Sequence, residues 1–123
     1  MNNQPFGTTH FYDENGNPAG GAAGSQGVLI HWQDGPLVDP ETGERKEPNG
    51  AFVETVLRIA IDRMRFYQGE ASGELPDGTA TFNDKFKCRE NALAITHMEE
   101  ALHWLNHRTA NREARGVEGT HQQ

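Results

Sequence analysis

Apolar residues recur at helical spacing in two separate stretches of this 123-residue chain. The first places Phe52, Val53, Val56, Leu57, Ala60, Ile61 and Met64 on one face, the three-and-four rhythm of an amphipathic helix. Asn49 offers an N-cap and Gly69 a stop, so the pattern predicts a helix over about 50–67. The second runs through Ala92, Ile95, Met98, Leu102 and Leu105, widened by Ala101 and Trp104. It begins near Asp84, another N-cap candidate, and meets no breaker before Gly116, which predicts a helix over about 85–115. A helix of about 30 residues is roughly 45 Å long. The shorter partner cannot cover that length, so the far end is expected to meet another copy of the chain or to project into solvent.

Residues 28–32 are apolar enough for a strand and are ended by Asp34, Gly35 and Pro36, which suit a turn. Beyond Gly116, residues 117–121 read as an extended segment able to pair with 28–32. Charged residues with Pro40 and Pro48 make 39–48 a loop, and 69–81, with its glycines and Pro76, has the composition of a flexible connection. Residues 1–26 read as a flexible, Gly-rich leader, with a turn signal at 15–18 and a Gly/Ala run at 20–24. The expected fold class is α+β. It comprises a small antiparallel sheet of 28–32 and 117–121 beside an antiparallel two-helix hairpin, in one domain over 27–123 that assembles as an oligomer.

Composition supports the oligomer and narrows the partners. Hydrophobic content is 34% and mean hydropathy is −0.79, low for a self-sufficient core. The net charge of −7 argues against a general binder of DNA or RNA. Charge is uneven, however: residues 1–50 hold seven Asp and Glu against two Lys and Arg, whereas residues 81–123 hold six of each. An anion site is therefore expected in the C-terminal segment. One cysteine, Cys88, excludes an internal disulfide and fits a reducing cytoplasm. No run approaches the roughly 20 apolar residues that span a bilayer, and no secretion signal is evident.

Arg108 and Arg112 lie four residues apart, so on a helix their guanidinium forks address one spot, a geometry suited to a phosphate pair. Arg115 can extend the patch, and Asn91 at the other end of the helix can offer an amide to a ribose or base. The plainer reading is a solvated, ion-paired helix end with Glu113 nearby. Phe66, Tyr67 and Phe86 bracket the flexible connection and can stack on a base or pack within the hairpin. Trp32 and Trp104 read as packing residues. Glu100 and His103, with His107 a turn beyond, match the Glu-x-x-His element of di-iron bundles, but the first helix adds only Glu54 and Asp62, so no metal or other cofactor is expected. Cys88 between Lys87 and Arg89 reads as a structural, at least half-buried thiol. No Gly-rich phosphate loop and no serine nucleophile motif occurs.

Several short motifs together carry a resemblance: CREN at 88–91, EEALHWL at 99–105, RT at 108–109, RGVEGT at 115–120, and upstream HWQDGP at 31–36 and PNGAFVETV at 48–56. The chain resembles the helical hairpin domain shared by phage proteins that defeat the Thoeris and CBASS immune systems, and is most similar to the Thoeris anti-defence sponge branch. The resemblance implies a small antiparallel sheet with two helices, a homo-oligomer of the hexamer kind, and capture of cyclic ADP-ribose isomers without turnover. Related proteins of this type sequester cyclic dinucleotides and trinucleotides. The resemblance places ligand contacts at Asn91, Arg108 and Arg112, with the arginines on phosphate, and Tyr67 where relatives carry a stacking Phe. The 69–83 connection is longer than in many relatives, which leaves Phe82 or Phe86 as alternatives to Tyr67. Relatives can also carry a basic residue where this chain has Leu37, and Arg45 or Lys46 would have to substitute. The expected setting is the cytoplasm of the infected host, with no membrane and no DNA or RNA partner. An enzyme acting on the same signals and a phage structural oligomer without a small ligand are the alternatives.

Overall fold

The computed structural model describes residues 6–39 and 41–114, and side chains within 7–39 and 41–109. Seven elements follow in order: β1 (Phe6–Tyr12), β2 (Pro18–Ser25), β3 (Val28–His31), α1 (Val53–Tyr67), β4 (Gly73–Glu74), β5 (Ala80–Thr81) and α2 (Arg89–Ala114). The class is α+β. The chain divides into two compact units, one built on the strands and loops up to Phe52 and one running from Val53 to Arg108.

In the first unit β1, β2 and β3 form a three-stranded antiparallel sheet in sequence order. This changes the reading of residues 6–25, whose composition suggests a flexible leader. The turn signal at 15–18 joins two strands: the Asp13 carboxylate accepts from the backbone N–H groups of Asn15 and Asn17 at 2.8 and 2.9 Å. β2 is nearly devoid of side chains, so it shows no alternating pattern, yet backbone pairing needs none. Gly21 shows the advantage of small residues here, since its φ of 138° and its approach to the Thr9 carbonyl leave no room for a Cβ. Residues 28–32 pair with β2 through Ala22↔His31 and Ser25↔Val28. The expected partner at 117–121 lies outside the described residues.

Two of the sequence motifs meet beside this sheet. The Asn49 amide accepts from Asp34 N and donates to Asp34 O, both at 2.8 Å, while Asn49 N donates to the Gln33 side chain at 2.9 Å. Asn49 therefore clamps the HWQDGP turn instead of capping α1, which begins at Val53. The stretch expected as a plain loop carries a Val38↔Arg45 bridge and a turn in which the Asp39 carboxylate accepts from Glu41 N.

The second unit is the helical hairpin. Ile61 of α1 and Ile95 of α2 are its buried apolar side chains, and Val56, Leu57, Ala60 and Met64 of α1 and Ala94, Met98, Leu102 and Leu105 of α2 are half-buried. Arg65 and Glu99 form an ion pair across the seam. At the turn end, Gln68 is 4% exposed, and its carboxamide both accepts from Cys88 N at 3.0 Å and donates to Cys88 O at 3.2 Å. This double bond to the backbone ties the end of α1 to the start of α2. It also explains why α2 starts at Arg89: Asn83 and Asp84 are used in a preceding turn, where Lys85 N reaches the Asn83 side chain and Lys87 N the Asp84 carbonyl.

Between the helices, the stretch expected to be flexible contains the β4–β5 hairpin, closed by Leu75 N to Thr79 O at 2.9 Å and by the Asp77 carboxylate on Thr79 N. Gly73 lies directly against the Phe66 ring. Three residues assigned to the core of α2 by periodicity, Ala92, Ala101 and Trp104, are exposed, Trp104 to 66%. Asn91 and Ala94 take their place on the inner face. No helix among the described residues is long and apolar enough to cross a membrane.

Two substitutions test these supports. Gln68→Ala leaves Cys88 N without its partner and removes one of the two hydrogen bonds on Cys88 O, which keeps that from Ala92 N, and is expected to cost about 1–3 kcal/mol, read as a lower urea midpoint. Gly21→Ala is expected to destabilise the β1–β2 pairing, read as earlier thermal loss of strand signal by circular dichroism, while Gly16→Ala, with open space around its Cβ, strains only the turn.

Candidate functional site

The candidate residues fall into two groups at opposite ends of the hairpin. At the turn end, Asn91 sits in the first turn of α2, half-buried, and its Nδ2 donates to the Phe86 carbonyl at 3.2 Å. The bond fixes the amide beside the segment that carries Phe86. That ring is 71% exposed, with the Lys85 ammonium 6.0 Å from its centre. Tyr67, the last residue of α1, is differently placed. Its hydroxyl accepts from Arg63 Nε at 3.2 Å, the Arg63 guanidinium lies 5.1 Å over its ring, and Phe66 packs at 5.8 Å. Tyr67 is thus engaged by its own helix, whereas Phe86 and the equally exposed Phe82 offer open faces.

At the other end, Arg108 is exposed on α2, one turn beyond Trp104. Arg112 follows a further turn along the same helix, with its side chain outside the described residues. At a 1.5 Å rise, Arg108 and Arg112 stand about 25 and 31 Å along the axis from Asn91. Within one chain the structure joins Asn91 to the Phe86 segment and keeps both arginines remote from them.

The remaining candidates resolve as follows. Cys88, expected to be at least half-buried, is exposed, while Gln68 holds its backbone. Glu100 faces His97, with 3.5 Å between Oε1 and Nδ1, and the rings of His103 and His107 lie edge-on to Trp104 at 5.5 and 5.8 Å. Among the described residues no three His, Cys, Asp or Glu side chains are grouped to hold a metal ion. Two carboxylates, Asp39 and Asp77, titrate below their ordinary range because each accepts hydrogen bonds from backbone N–H groups of its own turn, Glu41 and Thr42 for the first and Thr79 for the second. Both are structural turn residues remote from these candidates in sequence and role.

Sequence reading passed over one feature, a cleft of about 330 Å³ on the seam of the hairpin, lined by Arg58, Ile61, Asp62, Arg65, Glu99 and Leu102. The spacing of 58, 61, 62 and 65 on one helical face was the signal for it. Its lining combines Ile61 and Leu102 with side chains of both charges, and Arg65 and Glu99 pair within it.

Comparison with known proteins agrees with the hairpin architecture. The family model described as the Acb2/Tad1 hairpin domain matches residues 31–110, a span that starts at the last residue of β3 and includes the Asn49 clamp, α1 and α2 as far as residue 110, Arg108 among them. The chain is also 40% identical over 95 residues to Thoeris anti-defense 1 of Bacillus phage SBSphiJ7, an alignment covering 77% of this chain and 53% of that protein. The chain thus spans about half the length of the curated relative it matches. A family match over most of the chain, together with identity at this level, establishes that the chain belongs to the Acb2/Tad1 hairpin domain family.

Proposed function

We propose that this protein is a phage anti-defence protein that captures cyclic nucleotide immune signals and withholds them, uncleaved, from the host effector. The observation that carries the reading is the 40% identity to Thoeris anti-defense 1. The hairpin provides the chemistry such capture needs. Phe86 offers an exposed ring for a base, Asn91 a fixed amide, and Arg108 with Arg112 two guanidinium groups one turn apart for a pyrophosphate. Cyclic ADP-ribose isomers are the first expected ligands, and cyclic dinucleotides and trinucleotides the next.

A ligand of that size cannot bridge about 25 Å, so the aromatic end of one copy and the arginine end of another form the pocket. A homo-oligomer, of the hexamer kind, is then required for binding. The hairpin's thin core is consistent with it, since among the described residues only Ile61 and Ile95 are buried apolar side chains. The surplus of negative charge elsewhere, −7 overall, keeps the same arginines from acting as a general nucleic-acid patch. The setting is the cytoplasm of the infected host, where such signals are made.

Capture at nanomolar affinity needs about 12 kcal/mol. Charge-assisted hydrogen bonds at about 1.5–3 kcal/mol each, with base stacking at about 1–3 kcal/mol, reach that sum from a handful of contacts. Turnover is unnecessary, because a signal held tightly enough never reaches its effector.

The experiment is a thermal-shift screen against cyclic ADP-ribose isomers, cyclic dinucleotides and cyclic trinucleotides, followed by chromatography of the ligand released on heating. A shift with intact ligand supports capture; cleaved ligand makes the protein an enzyme, and no shift with any of them removes the reading. In the same assay Arg108→Ala and Arg112→Ala are each expected to weaken binding at least about a hundredfold without lowering the melting temperature of the free protein. Phe86→Ala is expected to weaken binding more than Tyr67→Ala, because Arg63 already occupies the Tyr67 ring.

A further inference from the structure

The Glu100-x-x-His103 element stands outside the site described above. An internal metal centre would have to form against α1, but Glu100, His103 and His107 are all exposed on α2. What the helix brings together on that outer surface is a pair of histidines. His103 and His107 are four residues apart, so about 40° around the helix and about 6 Å along it. Side chains at this spacing have Cβ atoms about 5–6 Å apart, a gap that two imidazoles can close around one ion held about 2.0–2.1 Å from each nitrogen.

The two rings are available for this. Both lie edge-on to Trp104, with centres 5.5 and 5.8 Å from that of the indole, and among the described residues neither makes a hydrogen bond or an ion pair. His10 and His97 differ: His10 Nε2 lies 3.0 Å from Thr8 Oγ1, and His97 Nδ1 lies 3.5 Å from Glu100 Oε1. Turning the exposed His103 and His107 rings toward each other therefore breaks no hydrogen bond to the rest of the described chain. The plainer use of these rings, packing on an exposed indole, leaves their nitrogens to water.

We propose that His103 and His107 chelate one divalent ion of the zinc, nickel or copper kind on the outer face of α2. Imidazole nitrogen suits these ions, whereas Mg2+ and Ca2+ prefer oxygen. Glu100, one turn before His103, is drawn to His97, so the two imidazoles are the protein's contribution and water fills the remaining positions. An ion spanning one turn fastens the stretch of helix beyond Ile95, where no side chain among the described residues is buried, because a ligand that binds only the folded form stabilises it. It also adds positive charge next to Arg108. The site is independent of the capture reading and stands or falls without it.

The test uses the full chain without an added histidine tag, freed of metal by a chelator and kept in excess Mg2+ to fill carboxylate sites. Ni2+ is titrated while tryptophan fluorescence is followed, and Zn2+ binding is measured by calorimetry. Saturable binding of one ion per chain is expected, with Ni2+ quenching the indole it lies beside. His103→Ala and His107→Ala, both at exposed positions, are each expected to weaken binding of both ions at least about tenfold. Trp104→Phe is expected to keep the calorimetric binding and lose most of the quench, which separates Trp104 from Trp32. The chelate is overturned by a lack of saturable binding in either titration, by alanine variants that bind like the wild type, or by a quench that survives Trp104→Phe.

Discussion

Two helices joined as a hairpin have one seam between them, and that constraint governs the rest of this molecule. Each helix buries a single face, so the apolar area removed from water is small, and among the described residues it closes fully only around Ile61 and Ile95. A seam this thin needs directional contacts to fix the helices in register. Gln68 supplies one by bonding both backbone groups of Cys88, and the Arg65–Glu99 pair supplies another farther along. The first is the more consequential, because a buried carboxamide with both partners satisfied specifies one arrangement, whereas a half-exposed ion pair contributes little. The position of Asn91 beside the Phe86 carbonyl follows from that tie, since both lie on the segment Gln68 anchors.

Elements whose signal is a repeat of side chains were legible in the sequence. Both helices and the strand at β3 follow from periodicity and turn residues, and so does the α+β class. Elements held by backbone or by single polar side chains were not. β2 is built almost wholly of Gly and Ala, so its strand character rests on pairing with β1 and β3 and leaves no alternation to read. Asn49 has the chemistry of an N-cap, but the same amide satisfies the Asp34 turn, a non-local competition invisible to a local rule. Periodicity also cannot tell which of two apolar stripes on one helix meets the partner. Trp104 and Ala101 were assigned to the core because they are apolar, while Asn91, polar and on the inner face, was not.

The site residues show the same division. Spacing paired Arg108 with Arg112 and put Asn91 about 25 Å away at the other end of the predicted helix, but a linear sequence does not show which ring lies beside that amide. Nor does it show that Arg63 occupies Tyr67 while Phe86 stands open. The structure therefore shifts attention from a single-chain pocket to what a second copy brings.

A protein that captures its ligand, as proposed for this one, is constrained differently from one that transforms it. Binding energy that an enzyme would spend on a transition state is useful to such a protein in full in the ground state. The best use of two remote ends is then to clamp the ligand from both sides and slow its release, since related complexes differ chiefly in dissociation rate. Placing the two halves on different copies adds a further consequence. On the proposed reading a ligand that bridges two copies would stabilise their assembly, so that capture and assembly would reinforce one another through linkage. A small, thinly cored hairpin gains more from such coupling than a large rigid domain would, because its own seam contributes so little.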